Sequence, residues 1–269
     1  MASYNLPNWL RIILLILSCL SFLPQILMLL YYVLFNLVVA TELFSLAFFF
    51  VTNQIDGSDF FVHNPPNVGD WLNLAQFTAV YVLRLLIFVL FMSFSLREKR
   101  RQNATVTALC TSYLLISVIS VFLNAISHSS SPGERRWFGA LFLGGHTLIL
   151  APLITILAAA TLPVQAHAIL ALPRGSSTGA VSVTTLAAQT VIFAVLAATW
   201  WPGRLVFPED FGSPVAYFGS WYQLVGFVPV DYAVFALAQA VLFVVATRHR
   251  RRGTRSEDLA DETDPLLLR

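Results

Sequence analysis

The sequence is poor in charge, in lysine and in cysteine. Only 11% of its 269 residues are charged, whereas a soluble globular domain carries roughly 25%. Lys99 is the single lysine, and the other basic side chains are arginines. The two cysteines, Cys19 and Cys110, both lie in apolar runs, so no disulfide framework or metal site follows from them. These absences argue against a soluble domain and against a small domain held together by disulfides.

Long apolar runs take the place of charge. Apolar residues make up 57% of the chain, and the mean hydropathy is +0.74. A run of about 20 apolar residues is long enough to cross a bilayer as a helix. Seven such runs follow one another, at residues 9–27, 30–51, 71–94, 106–126, 137–172, 181–200 and 217–247, with polar loops at 53–70, 127–136 and 201–214. The sequence therefore predicts an all-α membrane protein with seven spans.

The distribution of basic residues predicts the orientation of these spans, because Lys and Arg are enriched in cytosolic loops. Ten basic residues follow spans 3, 5 and 7, at positions 97, 99–101, 174, 248, 250–252 and 255. Only three, Arg135, Arg136 and Arg204, fall in the loops of the other side. The N-terminus is then lumenal or extracellular, and the C-terminus is cytosolic. The glycosylation sequon at Asn103 lies in the cytosol in this topology, so we expect it to be unmodified.

Spans 1 to 3 are repeated, in the same order, as spans 5 to 7. LYYVLFNLV in span 2 aligns with VTTLAAQTV in span 6, so that Asn36 falls on Gln189. WLNLAQ in span 3 aligns with WYQLVG in span 7, so that Asn73 falls on Gln223. One span separates the two triplets, and both therefore enter the membrane from the same side. This is the pattern of parallel repeats related by an axis along the membrane normal.

The first span of each triplet carries a proline close to a glutamine. Span 1 contains Leu23-Pro24-Gln25, and span 5 contains Pro163-Val164-Gln165. Proline inside a membrane helix removes a backbone hydrogen bond and kinks the helix. The neighbouring glutamine can meet the freed backbone groups or a solute. A kinked hairpin with polar packing contacts is the alternative interpretation.

This pattern resembles the PQ-loop family, which includes cystinosin, the vacuolar basic amino-acid exporters and the sugar-transporting SWEETs. In that family a Pro-Gln pair in the first helix of each bundle precedes a short basic-Ser-x-x-Gly-(Leu/Ala)-Ser turn, here RGSSTGAVS at residues 174–182. The resemblance covers all seven spans. It implies two parallel three-helix bundles, helices 1–3 and 5–7, joined by helix 4. It also implies that the prolines act as hinges for alternating access, with solute between the bundles.

The resemblance divides the chain into four parts. Residues 1–102 form the first three-helix repeat, and residues 103–136 form linker helix 4 with its loop. Residues 137–247 form the second repeat, and residues 248–269 form a disordered cytosolic tail. Two departures from the family pattern stand out: Val164 splits the second Pro-Gln pair, and the first turn is missing.

The missing turn shows in the spacing. Gln25 lies 11 residues before Asn36, whereas Gln165 lies 24 residues before Gln189. Three explanations fit this spacing: the first turn is very tight, the gene model has lost a short segment, or the first bundle is degenerate. The first two explanations preserve transport, and the third does not.

Charged residues inside the predicted spans are costly and are the first candidates for function. Glu42 in span 2 has Arg84 in span 3 as its predicted partner, either as a structural ion pair or as a proton relay. Asp231 in span 7 has no basic residue at helical spacing. It is a candidate for taking a proton from an acidic lumen, and interfacial exposure near Val228-Pro229 is the alternative.

Amides related by the repeat are candidates for solute binding. Asn36, Asn73, Gln189 and Gln223 can each donate and accept hydrogen bonds, which suits amino acids or sugars. Interhelical packing contacts are the alternative, since such residues commonly join membrane helices. His146 is predicted to be a packed, hydrogen-bonded histidine rather than a proton carrier.

The C-terminal tail carries a sorting pattern. Glu262, followed by Leu266-Leu267, fits the acidic dileucine pattern [DE]xxxL[LI]. A cytosolic sorting adaptor can bind such leucines in an apolar pocket, and a solvated acidic tail is the alternative. The pattern points to a vacuolar or lysosomal membrane.

Together these features predict a vacuolar or lysosomal transporter of a small polar solute, with an amino acid favoured and proton coupling expected. The alternative is a non-transporting seven-helix receptor or scaffold with a degenerate first repeat. No catalytic constellation is present, so an enzyme, a cofactor, a metal site and a nucleic-acid partner are not expected. The expected partners are the solute, protons, the lipid bilayer and the sorting adaptor. The sequence leaves the oligomeric state open, and a homo-oligomer is compatible with it.

Overall fold

The computed structural model describes residues 7–22, 30–53, 61–63, 65–95, 107–109, 111–126, 132–171, 182–200 and 214–263. All regular secondary structure in these residues is helical, and they contain no β-strand. Six of the helices are long and apolar enough to cross a membrane. A helix satisfies its own backbone hydrogen-bonding groups, as a segment inside a bilayer must. The fold is thus all-α, and its helices are those of a multi-pass membrane protein.

The helices are numbered in chain order. α1 is Asn8–Phe22, α2 is Leu30–Asn53, α3 is Val68–Ser95 and α4 is Thr107–Ile126. α5 covers residues 132–170, with Pro132–Leu143, the π-helical segment Gly144–Leu150 and Ala151–Leu170. α6 is Val183–Trp200. α7 covers residues 214–263, with Pro214–Trp221, the π-helical segment Tyr222–Gly226 and Phe227–Thr263.

The first predicted span is only partly covered. The apolar part of α1, Asn8–Cys19, is shorter than a bilayer-crossing helix. The rest of the predicted span, with Pro24 and Gln25, lies outside the described residues. α2 to α7 are the six helices that reach the length of a span.

Two boundaries differ from the sequence-based expectation. α5 begins at Pro132 rather than near Trp137, because proline is well suited to the first turn of a helix, where its missing N–H has no intrahelical partner. α7 continues through Thr263, which corrects the disordered tail predicted from Arg248. The segment 248–263 contains five arginines, residues of high helix propensity, and no proline, so helix propensity can extend the membrane helix beyond its apolar part.

The helices pack in a repeating pattern. α3 lies against both α1 and α2, and α7 lies against both α5 and α6. Two further contacts join these groups, α1 with α6 and α2 with α5. α4 packs on α2. The third helix of each triplet therefore contacts both of the helices that precede it.

Aromatic side chains fill much of the space between these helices. Phe61 stacks on Phe227 of α7, with ring centroids 5.7 Å apart, and lies 5.5 Å from Trp200 of α6. Phe49 of α2 stacks on Phe142 of α5 at 4.8 Å. Helix association inside a bilayer depends on close packing of this kind rather than on hydrophobic transfer from water.

Hydrogen bonds around the first turn of α3 attach α1 to it. Asn67 caps α3, since its Oδ1 accepts from the backbone N–H of Asp70 at 3.1 Å. Asp70 Oδ2 in turn accepts from the backbone N–H of Asn67 at 3.0 Å and of His63 at 3.1 Å. From α1, Arg11 donates to the carbonyl of Gly69 at 2.8 Å and to Oδ1 of Asn73 at 3.0 Å. These bonds fix the relative position of α1 and α3 at one end.

Candidate functional site

The most deeply buried charged residue in the described part of the chain is Glu42, in the middle of α2. Its Oε2 accepts two hydrogen bonds, from the hydroxyl of Tyr113 in α4 at 2.5 Å and from Nδ1 of His146 in α5 at 2.7 Å. Its other oxygen, Oε1, is buried and has no hydrogen-bond partner among the described residues. A single carboxyl thus joins three helices.

A second buried carboxyl lies nearby on α7. Thr155 of α5 donates its hydroxyl to Asp231 Oδ1 in a short hydrogen bond. The same hydroxyl lies 3.1 Å from that of Tyr222. Asp231 Oδ2 is buried and, like Glu42 Oε1, has no hydrogen-bond partner in the described part of the structure. The Glu42 carboxyl is within electrostatic reach of Asp231 and Tyr222.

Breaks in regular helix geometry position the partners of both carboxyls. His146 lies inside the π-helical segment Gly144–Leu150, and Tyr222 opens the segment Tyr222–Gly226. Tyr113 lies just before the third such segment, Leu115–Ile119. A π-helical turn changes the direction in which the neighbouring side chains point, and such turns are frequent at functional sites.

We call these six residues the polar cluster: Tyr113, Glu42, His146, Thr155, Asp231 and Tyr222. It can hold protons, since it offers two carboxyls and one imidazole. It does not offer an evident metal site, because no three His, Cys, Asp or Glu side chains are grouped as ligands in the residues that were described. Ionisable groups inside a membrane-spanning region are expensive and default to a functional role.

The ion pair expected between Glu42 and Arg84 is not formed in the structure. The Glu42 carboxyl faces α4 and α5, where Tyr113 and His146 bind it. The buried guanidinium of Arg84 lies 5.9 Å from the ring centroid of Phe235 in α7, within the range of a cation–π interaction. Adjacent helices were predicted correctly to pack, but the two side chains point to different neighbours. The sequence-based pairing is therefore wrong in its partner.

The four candidate solute-binding amides differ in environment. Asn36 and Gln189 are both buried, and both engage in interactions within the structure. Asn73 is half-buried and receives the hydrogen bond from Arg11. Gln223 is half-buried and lies in the π-helical segment of α7.

The motif and sorting residues are only partly described. Pro163 lies inside α5, and Gln165 donates from Nε2 to the hydroxyl of Thr161 at 3.2 Å. That hydroxyl donates to the carbonyl of Ala158 at 2.8 Å, so the polar groups beside the proline bind one another. Glu262 lies in the last turn of α7, and Leu266 and Leu267 lie outside the described residues.

Sequence reasoning found the two carboxyls but missed most of their partners. Tyr113, Thr155 and Tyr222 carry no motif, and hydroxyl residues are common in membrane helices. His146 was predicted to be a packed, hydrogen-bonded histidine, and its hydrogen bond is present. The adjacent Gly144-Gly145 pair is a local signal, since glycine relaxes helix geometry.

No family model matches the chain, and no curated protein or solved structure matches it. The functional assignment therefore depends on the helix packing and on the polar cluster.

Proposed function

We propose that this protein transports a small polar solute, with an amino acid favoured, across a vacuolar or lysosomal membrane. Transport is coupled to protons and proceeds by alternating access between two three-helix bundles, α1–α3 and α5–α7. In this proposal the protein has seven spans, with its N-terminus in the lumen and its C-terminus in the cytosol.

The packing pattern is the observation that carries the proposal. If α1, α2 and α3 correspond to α5, α6 and α7, a contact between α1 and α6 must have a counterpart between α5 and α2. Both contacts are present, and in each triplet the third helix packs on the first and the second. This reciprocity is what a two-fold relation between parallel repeats requires, and such repeats are common in transporters.

The polar cluster supports coupling to protons. Glu42 on α2 contacts His146 on α5, so the cluster lies where the two proposed bundles meet. Solute and coupling ions bind near the midplane at the repeat interface in many transporters. Asp231 and Glu42 are the proposed proton-coupling residues, and Asn36, Asn73, Gln189 and Gln223 are the proposed solute ligands.

Two features support the membrane and the orientation. The Glu262–Leu267 pattern is of the kind that adaptors read when they sort proteins to the vacuole or lysosome. The basic residues after spans 3, 5 and 7 favour a cytosolic location for those segments. An acidic lumen would supply protons to an exporter that releases solute to the cytosol.

Flux measured in reconstituted vesicles under a pH gradient tests the proposal. We expect gradient-driven transport of at least one amino acid, and we expect Gln189→Ala to reduce it at least about tenfold, as the loss of a buried hydrogen-bonding ligand can. Val191→Ala is the matched control, because Val191 lies on the same helix with 63% of its surface exposed. Thermal unfolding in detergent checks that both variants are folded.

The absence of flux across a panel of amino acids and sugars, with a folded wild-type protein, contradicts the proposal. It favours the second candidate, a non-transporting receptor or scaffold. One observation already favours that candidate: the side chain of Asn73 accepts a hydrogen bond from Arg11, so this amide oxygen is occupied within the protein. A transcript that restores about 13 residues after Leu29 would favour the transporter.

A further inference from the structure

We infer that Glu42 and His146 form a proton-sensitive contact between α2 and α5, which protonation of Glu42 Oε1 releases. The physical inference concerns only these helices, but its meaning as the coupling step of transport rests on the proposed function. It assigns positioning roles to His146 and Tyr113 that no sequence motif indicates.

The Glu42–His146 hydrogen bond and the Thr155–Asp231 hydrogen bond join different pairs of helices. Glu42 lies on α2 and His146 on α5, so their 2.7 Å hydrogen bond crosses between the two helix triplets. Asp231 lies on α7 and its donor Thr155 on α5, so that bond stays within one triplet. A change at Glu42 therefore acts on the relative position of the triplets, whereas a change at Asp231 acts inside the second one.

The geometry of the carboxyl shows where a proton can bind. Oε2 already accepts from Tyr113 Oη at 2.5 Å and from His146 Nδ1 at 2.7 Å. Oε1 is buried with no hydrogen-bond partner among the described residues, so its lone pairs are available. A proton that reaches the site forms an O–H bond at Oε1 and converts the carboxylate to a neutral acid. No other bond is made or broken.

This proton weakens the contact for an electrostatic reason. Hydrogen bonds to an ionised acceptor are roughly twice as strong as those between neutral groups. Once Glu42 is neutral, Oε2 is only a carbonyl oxygen, and both Tyr113 and His146 are held less strongly. The contact is therefore stronger while Glu42 is ionised than after it has bound a proton.

Groups on several helices surround Glu42 or lie on the helices packed against α2. α4 provides Tyr113, and α5 provides His146. α7 provides Asp231 and Tyr222 within electrostatic reach. α3 carries two buried charged groups: Asp70, which accepts from the backbone N–H groups of His63 and Asn67, and Arg84, whose guanidinium lies over Phe235. A proton on Glu42 removes a negative charge that acts on Asp231 and Tyr222.

Hydrogen–deuterium exchange of the purified protein in lipid nanodiscs tests the inference without a transport assay. Exchange in α2 and in the Gly144–Leu150 segment is measured between about pH 5 and 8, after correction for the intrinsic pH dependence of amide exchange. We expect wild-type exchange in these segments to be about tenfold faster at the acidic end, the change produced by about one unit of differential proton affinity. Exchange in α6 serves as the internal reference.

The variants separate this contact from general destabilisation. Glu42→Gln imitates the neutral acid, and we expect the fast, acid-like rate at every pH. Tyr113→Phe removes one donor to Oε2 and keeps the histidine, so the contact is weaker and exchange in both segments should be faster than in the wild-type protein at the alkaline end. His167→Gln is the matched control, because His167 lies on the same helix away from the cluster, and it should keep the wild-type profile.

Two results would overturn the inference. One is wild-type exchange in α2 and the π-helical segment that does not depend on pH after correction. The other is a pH dependence of exchange in Tyr113→Phe that equals that of the wild-type protein. This second test remains valid if Glu42→Gln does not fold. If the protein shows the pH-dependent exchange but no flux in vesicles, the inferred contact stands and the transport proposal fails. The two failures are therefore distinguishable.

Discussion

Thr155 makes the clearest case for a single side chain that sequence reasoning cannot identify. Its hydroxyl donates to Asp231, which is buried, and lies beside the hydroxyl of Tyr222. A buried carboxyl that loses its donor bears the full cost of desolvation, about 1–3 kcal/mol or more for a charged group. Thr155 thus stabilises the Asp231 carboxyl, whose burial is otherwise unfavourable.

Substitution of Thr155 by valine tests this role. We expect Thr155→Val to lower the free energy of unfolding by about 1–3 kcal/mol, because the shape is kept while Asp231 loses its donor. Thr78→Val is the control, since the Thr78 hydroxyl bonds only the carbonyl of Leu74 in its own helix, at 2.7 Å. That variant should change the stability by about 0.5 kcal/mol or less. Thermal and denaturant unfolding in detergent report both values, and equal effects would contradict the assigned role.

At the scale of the helices, the π-helical segments set the positions of the cluster. The segment Tyr222–Gly226 places Tyr222 towards Thr155 and ends at a glycine that lies against a buried ring. A Cβ at Gly226 would lie 2.6 Å from an atom of Trp221, whose side chain is itself buried. Glycine is required there for close approach, and not for backbone conformation.

Two glycine substitutions on α7 have opposite expected effects. Gly226→Ala should destabilise the protein by about 1–3 kcal/mol, because the added methyl group overlaps the Trp221 ring and forces the helix to shift. Gly219→Ala meets no atom within 4 Å and should stabilise the helix by up to about 1 kcal/mol. Unfolding midpoints of the two variants give the comparison. A stable Gly226→Ala protein would show that the π-helical segment can rearrange.

For the whole molecule, the orientation of the spans decides which end of the polar cluster faces the proposed acidic lumen. The basic residues favour a cytosolic location for the segment between α3 and α4. That segment contains the sequon at Asn103. Glycosylation is lumenal, so the natural sequon reports the orientation directly.

Endoglycosidase treatment followed by gel electrophoresis tests this topology. We expect no shift for the wild-type protein, because the proposed topology keeps Asn103 in the cytosol. Asp56→Asn creates an acceptor pattern with Gly57 and Ser58 in the preceding loop, and we expect that variant to be modified. A shift that depends on Asn103 would reverse the orientation and the direction of proton flow with it.

The apolar runs alone determined that the chain is an all-α membrane protein, and they located α2, α3 and α6 to within a few residues. Hydropathy suffices for this because every membrane-spanning segment must satisfy its own backbone, and it must be long enough to cross the bilayer. The end of α7 was mispredicted because hydropathy identifies only the segments that lie in the bilayer. The tail is polar, and hydropathy does not report helix propensity outside the bilayer.

Tertiary structure decided the partners inside the membrane. The sequence identified Glu42, Asp231 and Arg84 as exceptional because charge is rare in a span, but a helix rotation of a few tens of degrees changes which neighbour a side chain meets. The structure turns Glu42 towards Tyr113 and His146 and Arg84 towards Phe235. Periodicity and composition fix which segments lie in the membrane, whereas the rotation of each helix follows from the packing of all of them together.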